Sequence, residues 1–235
     1  QRGLTGPGRT RRLARMSGLV LVIGTKNYSS WSLRPWLLLK HLDLEFTERQ
    51  YHFGTPEFES EIPKISPTRR VPVLLHDELR VWESVAIGEY VSELAGGRGW
   101  PADRGMRAQA RSIAHEMHAG FGSLRDICPM NARATGRRVA MTPPLEQDLR
   151  RIDAIWSGCR RDHGERGPWL FGNFSIADAM YAPVALRVRT YDLPLSTLAA
   201  RYLETMLDDV YLQQWIRAGE QESIFIPHEE VGTGA

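Results

Sequence analysis

Hydrophobic positions change their spacing several times along the first hundred residues. Residues 19–23, Leu-Val-Leu-Val-Ile, form a short unbroken apolar run, the pattern of a strand buried on both faces. A polar loop, 24–28, follows it. Beyond the loop, Ser29, Ser30 and Ser32 offer hydroxyl caps and Pro35 falls in a first helical turn. Leu37, Leu38, Leu39 and Leu42 then supply a helical apolar face. Residues 46–51 predict a second strand, and 55–64, with two prolines, a short irregular helix or turn. Residues 71–75 and 79–82, joined by His76-Asp77-Glu78, read as an antiparallel hairpin. Apolar residues at 85, 87, 91 and 94 predict a helix over 84–95, closed by Gly96-Gly97. From residue 103 onward no strand pattern stands out, and helices are predicted near 103–127, 145–163, 176–190, 196–208 and 209–218.

The order strand, helix, strand, helix, hairpin, helix matches the thioredoxin-like arrangement, in which a parallel pair is extended by an antiparallel hairpin. The expected fold class is therefore an α/β thioredoxin-like first domain, 18–97, followed by an all-α second domain, 103–225. A length of 235 residues suits two such units. The composition, 42% apolar with seven tryptophans, provides ample core and excludes disorder or a fibrous class.

The net charge of +2 suggests nucleic-acid binding until its distribution is seen. Five arginines lie in the first 15 residues, and without them the chain is near −3. Residues 1–17 read as a disordered basic leader ahead of the folded part, and no nucleic-acid partner is expected. The apolar runs fall short of the ~20 residues that cross a bilayer, so no membrane association is expected. Cys128 and Cys159 show no Cys-x-x-Cys or zinc spacing, which argues against a disulfide scaffold or a metal module and for a reducing, cytoplasmic setting.

Three short segments carry chemistry. In Ser66-Pro67-Thr68-Arg69-Arg70-Val71-Pro72-Val73-Leu74, a proline at a strand entry cannot donate to the ladder. Either a trans proline opens the strand, or a cis Val71-Pro72 bond turns the Val71 backbone outward to pair with a peptide ligand. Glu83-Ser84 stands where the hairpin gives way to a helix. Ser84 is a natural N-cap there, and the first-turn N–H groups can receive a carboxylate. Ser29 and Ser30 sit between the first strand and its helix, where a hydroxyl can donate to a thiolate beside the helix dipole. Lowering a thiol pKa of ~8.5 by ~2 units requires ~2.7 kcal/mol. One charge-assisted hydrogen bond supplies about 1.5 to 3 kcal/mol, so a single serine is of the right size.

Taken together these segments resemble the glutathione transferase superfamily. The Ser-Pro-x-x-Arg-Val-Pro-Val-Leu run is similar to its Asn-Pro-x-Gly-Lys-Val-Pro-x-Leu signature, and Glu83-Ser84 with Ala86, Ile87 and Tyr90 to its Glu-Ser-x-Ala-Ile-x-x-Tyr. Ser29-Ser30-Trp31-Ser32-Leu33-Arg34 resembles the Ser-Ser-Cys-Ser-Trp-Arg of the zeta class, the maleylacetoacetate isomerases, with Trp31 where that class has cysteine. The resemblance implies glutathione as co-substrate and no metal. It makes Ser29 or Ser30 the thiolate-stabilising hydroxyl: zeta patterns favour Ser29, theta and delta patterns Ser30. Val71, set by Pro72, would pair with the cysteinyl backbone of glutathione, Arg70 would reach its glycyl carboxylate, and Glu83 with Ser84 would hold its γ-glutamyl end. A small electrophilic substrate and a homodimer are likewise implied.

The expected function is a glutathione transferase. The alternatives are a glutathione-dependent cis-trans isomerase of a maleyl-type acid, which an arginine-rich acceptor pocket would support, and a non-catalytic glutathione- or protein-binding module. A disulfide oxidoreductase is disfavoured, since it needs a protein sulfur at the first helix. Among secondary candidates, Ser175-x-x-Asp178 reads as a capping box with Phe174 as half of a staple. Tyr28 is a lesser candidate for the thiol pocket. His115 and His118, beside Glu116, suggest a metal only weakly, and the pairs Arg137-Arg138 and Arg150-Arg151 are expected to be solvated. Met117, Phe121 and Leu124 are expected in the core before the substrate pocket.

Overall fold

The computed structural model of the chain describes residues 18–234, so the basic leader predicted for 1–17 lies outside the described residues. Strand β1 (Leu19–Ile23) is central in a four-stranded sheet of order β2-β1-β3-β4, which is why it is apolar throughout. It runs parallel to β2 (Thr47–Gln50), an edge strand whose TERQ sequence faces water, through the crossover helix α1 (Ser30–His41). It pairs antiparallel with β3 (Val73–His76), register Leu21 to Leu74, and β3 turns back into β4 (Leu79–Trp82) through Asp77.

The two faces of the sheet bury different things, as the period of two requires. Val22 and Val73 point toward α2 (Pro56–Ile65), where Ile62 and Tyr51 complete a small cluster. Leu21, Ile23 and Leu74 point the other way, toward α1 and α3 (Ser84–Leu94), into a core that continues through the helical half. Contrary to expectation, α2 is a regular helix. Pro56 occupies a first-turn position that needs no N–H, Thr55 caps the start by accepting from Phe58 N–H, and Pro63 comes in the last turn.

The helical half contains α4 (Arg104–Ala119), α5 (Gly122–Ile127), α6 (Pro143–His163), α7 (Ile176–Tyr191), α8 (Thr197–Leu207) and α9 (Val210–Glu220). The single helix expected over 103–127 is broken, because Phe121 adopts a left-handed conformation (φ 61°) and Arg125 folds back onto the carbonyls of Met117 and Gly120. Helix α7 is buried on nearly every side between α1, α4 and α8. Its Ser175-Asp178 capping box is present. The Asp178 carboxylate accepts from Ser175 N–H and Oγ–H, both at 2.9 Å, and also from Leu170 N–H and the Tyr202 hydroxyl. Phe174 stacks on His41 of α1, 3.5 Å between ring centroids, and so ties the cap to the first half of the chain.

One feature of the second half departs from the all-helical expectation. A two-residue ladder pairs β5 (Arg137–Arg138) with β6 (Thr233–Gly234). Its partners lie far apart in sequence, so no local pattern could announce it. Cys128 and Cys159 are both free and buried, and burial pushes each thiol up to about 12. No helix among the described residues is long and apolar enough to cross a membrane.

Candidate active site

The loop 24–28 leaves β1 and turns into α1 through Thr25, whose carbonyl accepts from both Tyr28 and Ser29 N–H. Ser29 takes the N-cap position and Ser30 the first helical position. Their hydroxyls differ. Ser29 Oγ donates to Ser32 Oγ at 2.7 Å, and Ser32 Oγ in turn accepts from Gly24 N–H, so this hydroxyl is engaged in bracing the loop. Ser30 Oγ has no partner among the described residues and lines a cleft of about 580 Å³. At the first turn of α1 it lies beside unpaired helix N–H groups and the positive end of the helix dipole.

Arg70 and Val71 line the same cleft. The Val71-Pro72 bond is cis, and β3 begins at Val73, so the Val71 N–H and C=O remain outside the ladder. Arg70 is exposed at the rim. Four expected site residues, Ser29, Ser30, Arg70 and Val71, therefore share one cleft, while Pro72 is buried behind it.

Glu83 and Ser84 differ in detail from their expected roles. Ser84 is not the N-cap of α3: Glu83 holds that position, with φ 69°, and Ser84 begins the helix, its buried hydroxyl directed at Met180 Sδ. The Glu83 carboxylate is exposed and lies 3.7 Å from His118 Nε2. Neither residue lines the Ser30 cleft itself.

Trp31, noted in the sequence for standing where the zeta class has cysteine, and arginines that no motif announced complete the cleft. Both Arg34 and Arg125 lie over the Trp31 ring, their guanidinium carbons 4.0 and 4.7 Å from its centre. Arg187, from α7, reaches the cleft with only its Nε engaged, donating to Cys128 C=O at 2.8 Å. Its Nη1, and both terminal nitrogens of Arg34, are buried without partners among the described residues. Burial, reinforced by repulsion from Arg125, lowers the Arg187 pKa to about 10. Burial likewise depresses that of Arg34, with Arg125 and Arg187 adding to it. Arg69, Arg70, Arg125 and Arg187 outnumber Asp126 and Glu229 around this space, which suits an anionic ligand.

Tyr28 lines the same cleft, but its hydroxyl is already engaged. Its oxygen contacts Glu230 and the Ile224 carbonyl and accepts from Arg133 at 2.8 Å. Arg137, expected to be solvated, is drawn into the same network by Glu230. Arg138 is exposed beside Asp192, Arg150 is exposed beside Glu146, and Arg151 forms a two-pronged contact with Glu116 at 2.6 and 2.8 Å. His115, Glu116 and His118 do not converge: they turn to Arg111 C=O, Arg151 and Glu83 respectively. Met117, Phe121 and Leu124 are buried in the core.

Residues 28–94 match the protein family described as glutathione S-transferase, N-terminal domain. A 70-residue stretch is 40% identical to a dichloromethane dehalogenase of Methylorubrum extorquens, covering 30% of this chain and 21% of that protein. A 100-residue stretch is 31% identical to the maleylacetoacetate isomerase of Rattus norvegicus, covering 42% of this chain and 46% of that one. The chain thus spans less than half the length of these curated relatives. Among solved structures, a glutathione transferase homologue from Burkholderia strain BGR1, with bound glutathione, superposes with a TM-score of 0.66 at 24% identity, over 87% of this chain and 99% of that one. The fold is that of the glutathione transferases, a thioredoxin-like half followed by a helical half.

Proposed function

We propose that this chain is an enzyme of the glutathione transferase superfamily, in which Ser30 donates a hydrogen bond to the glutathione thiolate. The observation that carries this reading is the uncommitted Ser30 hydroxyl at the start of α1, in one cleft with the unladdered Val71 backbone and Arg70. Val71 would pair with the cysteinyl backbone of the tripeptide, and Arg70 would meet its glycyl carboxylate. The first-turn N–H groups of α3, at Glu83 and Ser84, would receive its γ-glutamyl end. Ser29 acts indirectly, through Ser32, by holding the loop. The thiolate then attacks an electrophilic carbon; a carbon–sulfur bond forms and the leaving group departs with its electron pair.

A second reading, isomerisation of a maleyl-type acid by reversible thiolate addition, is favoured by the buried, unpaired Nη1 of Arg187, a residue that lines the cleft. Retention on glutathione-agarose, followed by assays with an aromatic halide and with a maleyl acid, separates the possibilities. The transferase reading expects retention and turnover of the halide, and the isomerase reading turnover of the acid. Retention with neither activity, unchanged in a Ser29→Ala/Ser30→Ala double variant, would leave a binding module and refute the enzyme claim.

The same reading carries a cytoplasmic homodimer. The exposed side chains of Leu79 and Trp82 on the edge strand β4 support association between copies. Sedimentation velocity at micromolar concentration is expected to give a dimer, and a monomer there would remove that part of the proposal.

A further inference from the structure

After α9 the segment 221–234 crosses back to the first half of the chain, and it is wired to the loop that leads into the serines. The Glu222 carboxylate accepts from two consecutive backbone groups, Lys26 N–H and Asn27 N–H, each at 2.8 Å, and from the Gln50 side chain. Its side chain is only 7% exposed. The same loop is held from the helical half by Trp215 Nε1, which donates to Lys26 C=O at 2.9 Å, and by Ala132 N–H, which donates to Asn27 C=O at 2.9 Å. Farther along, the Glu230 carboxylate gathers Tyr28, Arg133 and Arg137. Between these two anchors, His228 and Glu229 form part of the wall of the Ser30 cleft, which Arg187 also lines.

We infer that the segment 221–234 is a working part of the thiol site: Glu222 is a positioning residue that fixes the loop carrying Ser29 and Ser30, and Glu230 holds the His228–Glu229 wall that shapes the acceptor space. This rests on the function proposed above. The physical ground is directness. Lys26 and Asn27 lie two to four residues from the serines, and no side chain within the loop supplies the two acceptors that Glu222 does. Without it, two adjacent N–H groups lose their partners, and the first turn of α1 is no longer set against the ligand's sulfur. The Glu230 anchor grips the loop only through the Tyr28 side chain, not through its backbone, and it is continuous with the wall, so its loss acts on the acceptor.

The two roles have different signatures. In Glu222→Ala the thiol pKa of bound glutathione, read from thiolate ultraviolet absorbance against pH, is expected to rise by about one unit, a tenfold shift in ionisation. The kcat at neutral pH falls correspondingly, and the KM for the acceptor changes little. Glu222→Gln, which keeps one acceptor oxygen, is expected to lie between Glu222→Ala and the unaltered chain, and it serves if the alanine variant does not fold. In Glu230→Ala the thiol pKa is expected to stay put while the KM for the acceptor rises several-fold. A folded Glu222 variant that loses only thermal stability, with its thiol pKa unmoved, would overturn the positioning role, and an unmoved acceptor KM in Glu230→Ala would overturn the wall. Failure of the unaltered chain to bind and ionise glutathione would instead bring down the proposed function itself.

Discussion

At the scale of single residues, the serine pair shows how two neighbours of one type come to differ. Ser29 and Ser30 are both nearly buried, yet one hydroxyl is engaged with Ser32 and the other is not. A hydroxyl already donating to Ser32 must break that bond before it can serve a thiolate; a free one need not. Ser30→Ala is therefore expected to lower kcat/KM for conjugation by the worth of one charge-assisted hydrogen bond, about 1.5 to 3 kcal/mol, or roughly ten- to a hundred-and-fifty-fold. Glutathione retention should persist. Ser29→Ala, acting through the loop, should cost less, and steady-state kinetics that reverse this order would return the role to Ser29. The candidate residues themselves were legible in the sequence because each belongs to a short contiguous motif. Which serine is free was not, since it depends on where Gly24 and Ser32 meet in space.

At the scale of elements, the start of α7 concentrates the polar interactions of the core. Asp178 is fully buried; burial raises its pKa, and the hydrogen bonds from Leu170, Ser175 and Tyr202 offset only part of that rise. Replacing Ser175 by alanine removes one donor to this carboxylate and is expected to cost about 1 kcal/mol. Asp178→Ala leaves several buried donors without an acceptor and should cost more, about 3 kcal/mol. Urea unfolding of the two variants checks the order, and equal losses would show that the carboxylate does not organise the turn. The capping box could be read from four residues in a row. The helix break at Phe121 could not, because the closing contacts come from Arg125 folding back over carbonyls, and a regular α2 was hidden behind two prolines that sit where a helix tolerates them.

At the scale of the whole molecule, the sheet half and the helical half share one core, in which β1 and α1 pack together with α4, α6, α7 and α9. Trp36 of α1 meets Trp215 of α9 edge to face, 5.2 Å between centroids, and Trp215 also donates to the loop before the serines. Chain halves joined this way are expected to unfold together, giving a single calorimetric transition whose van't Hoff and calorimetric enthalpies agree. Two resolved transitions would show that the halves are independent. The sequence alone determined the strand and helix order of the first half, its thioredoxin-like sheet, the Val71-Pro72 edge and the serine pair, because periodicity, caps and prolines act over a few residues. The tertiary structure alone decided which serine hydroxyl is free, the gathering of Arg34 and Arg125 at Trp31, the arrival of Arg187 in the same cleft, and the return of Glu222 and Glu230 to the loop beside the serines. Those contacts join positions up to about two hundred residues apart, and a local pattern carries no record of which distant partner the packed core will bring to it.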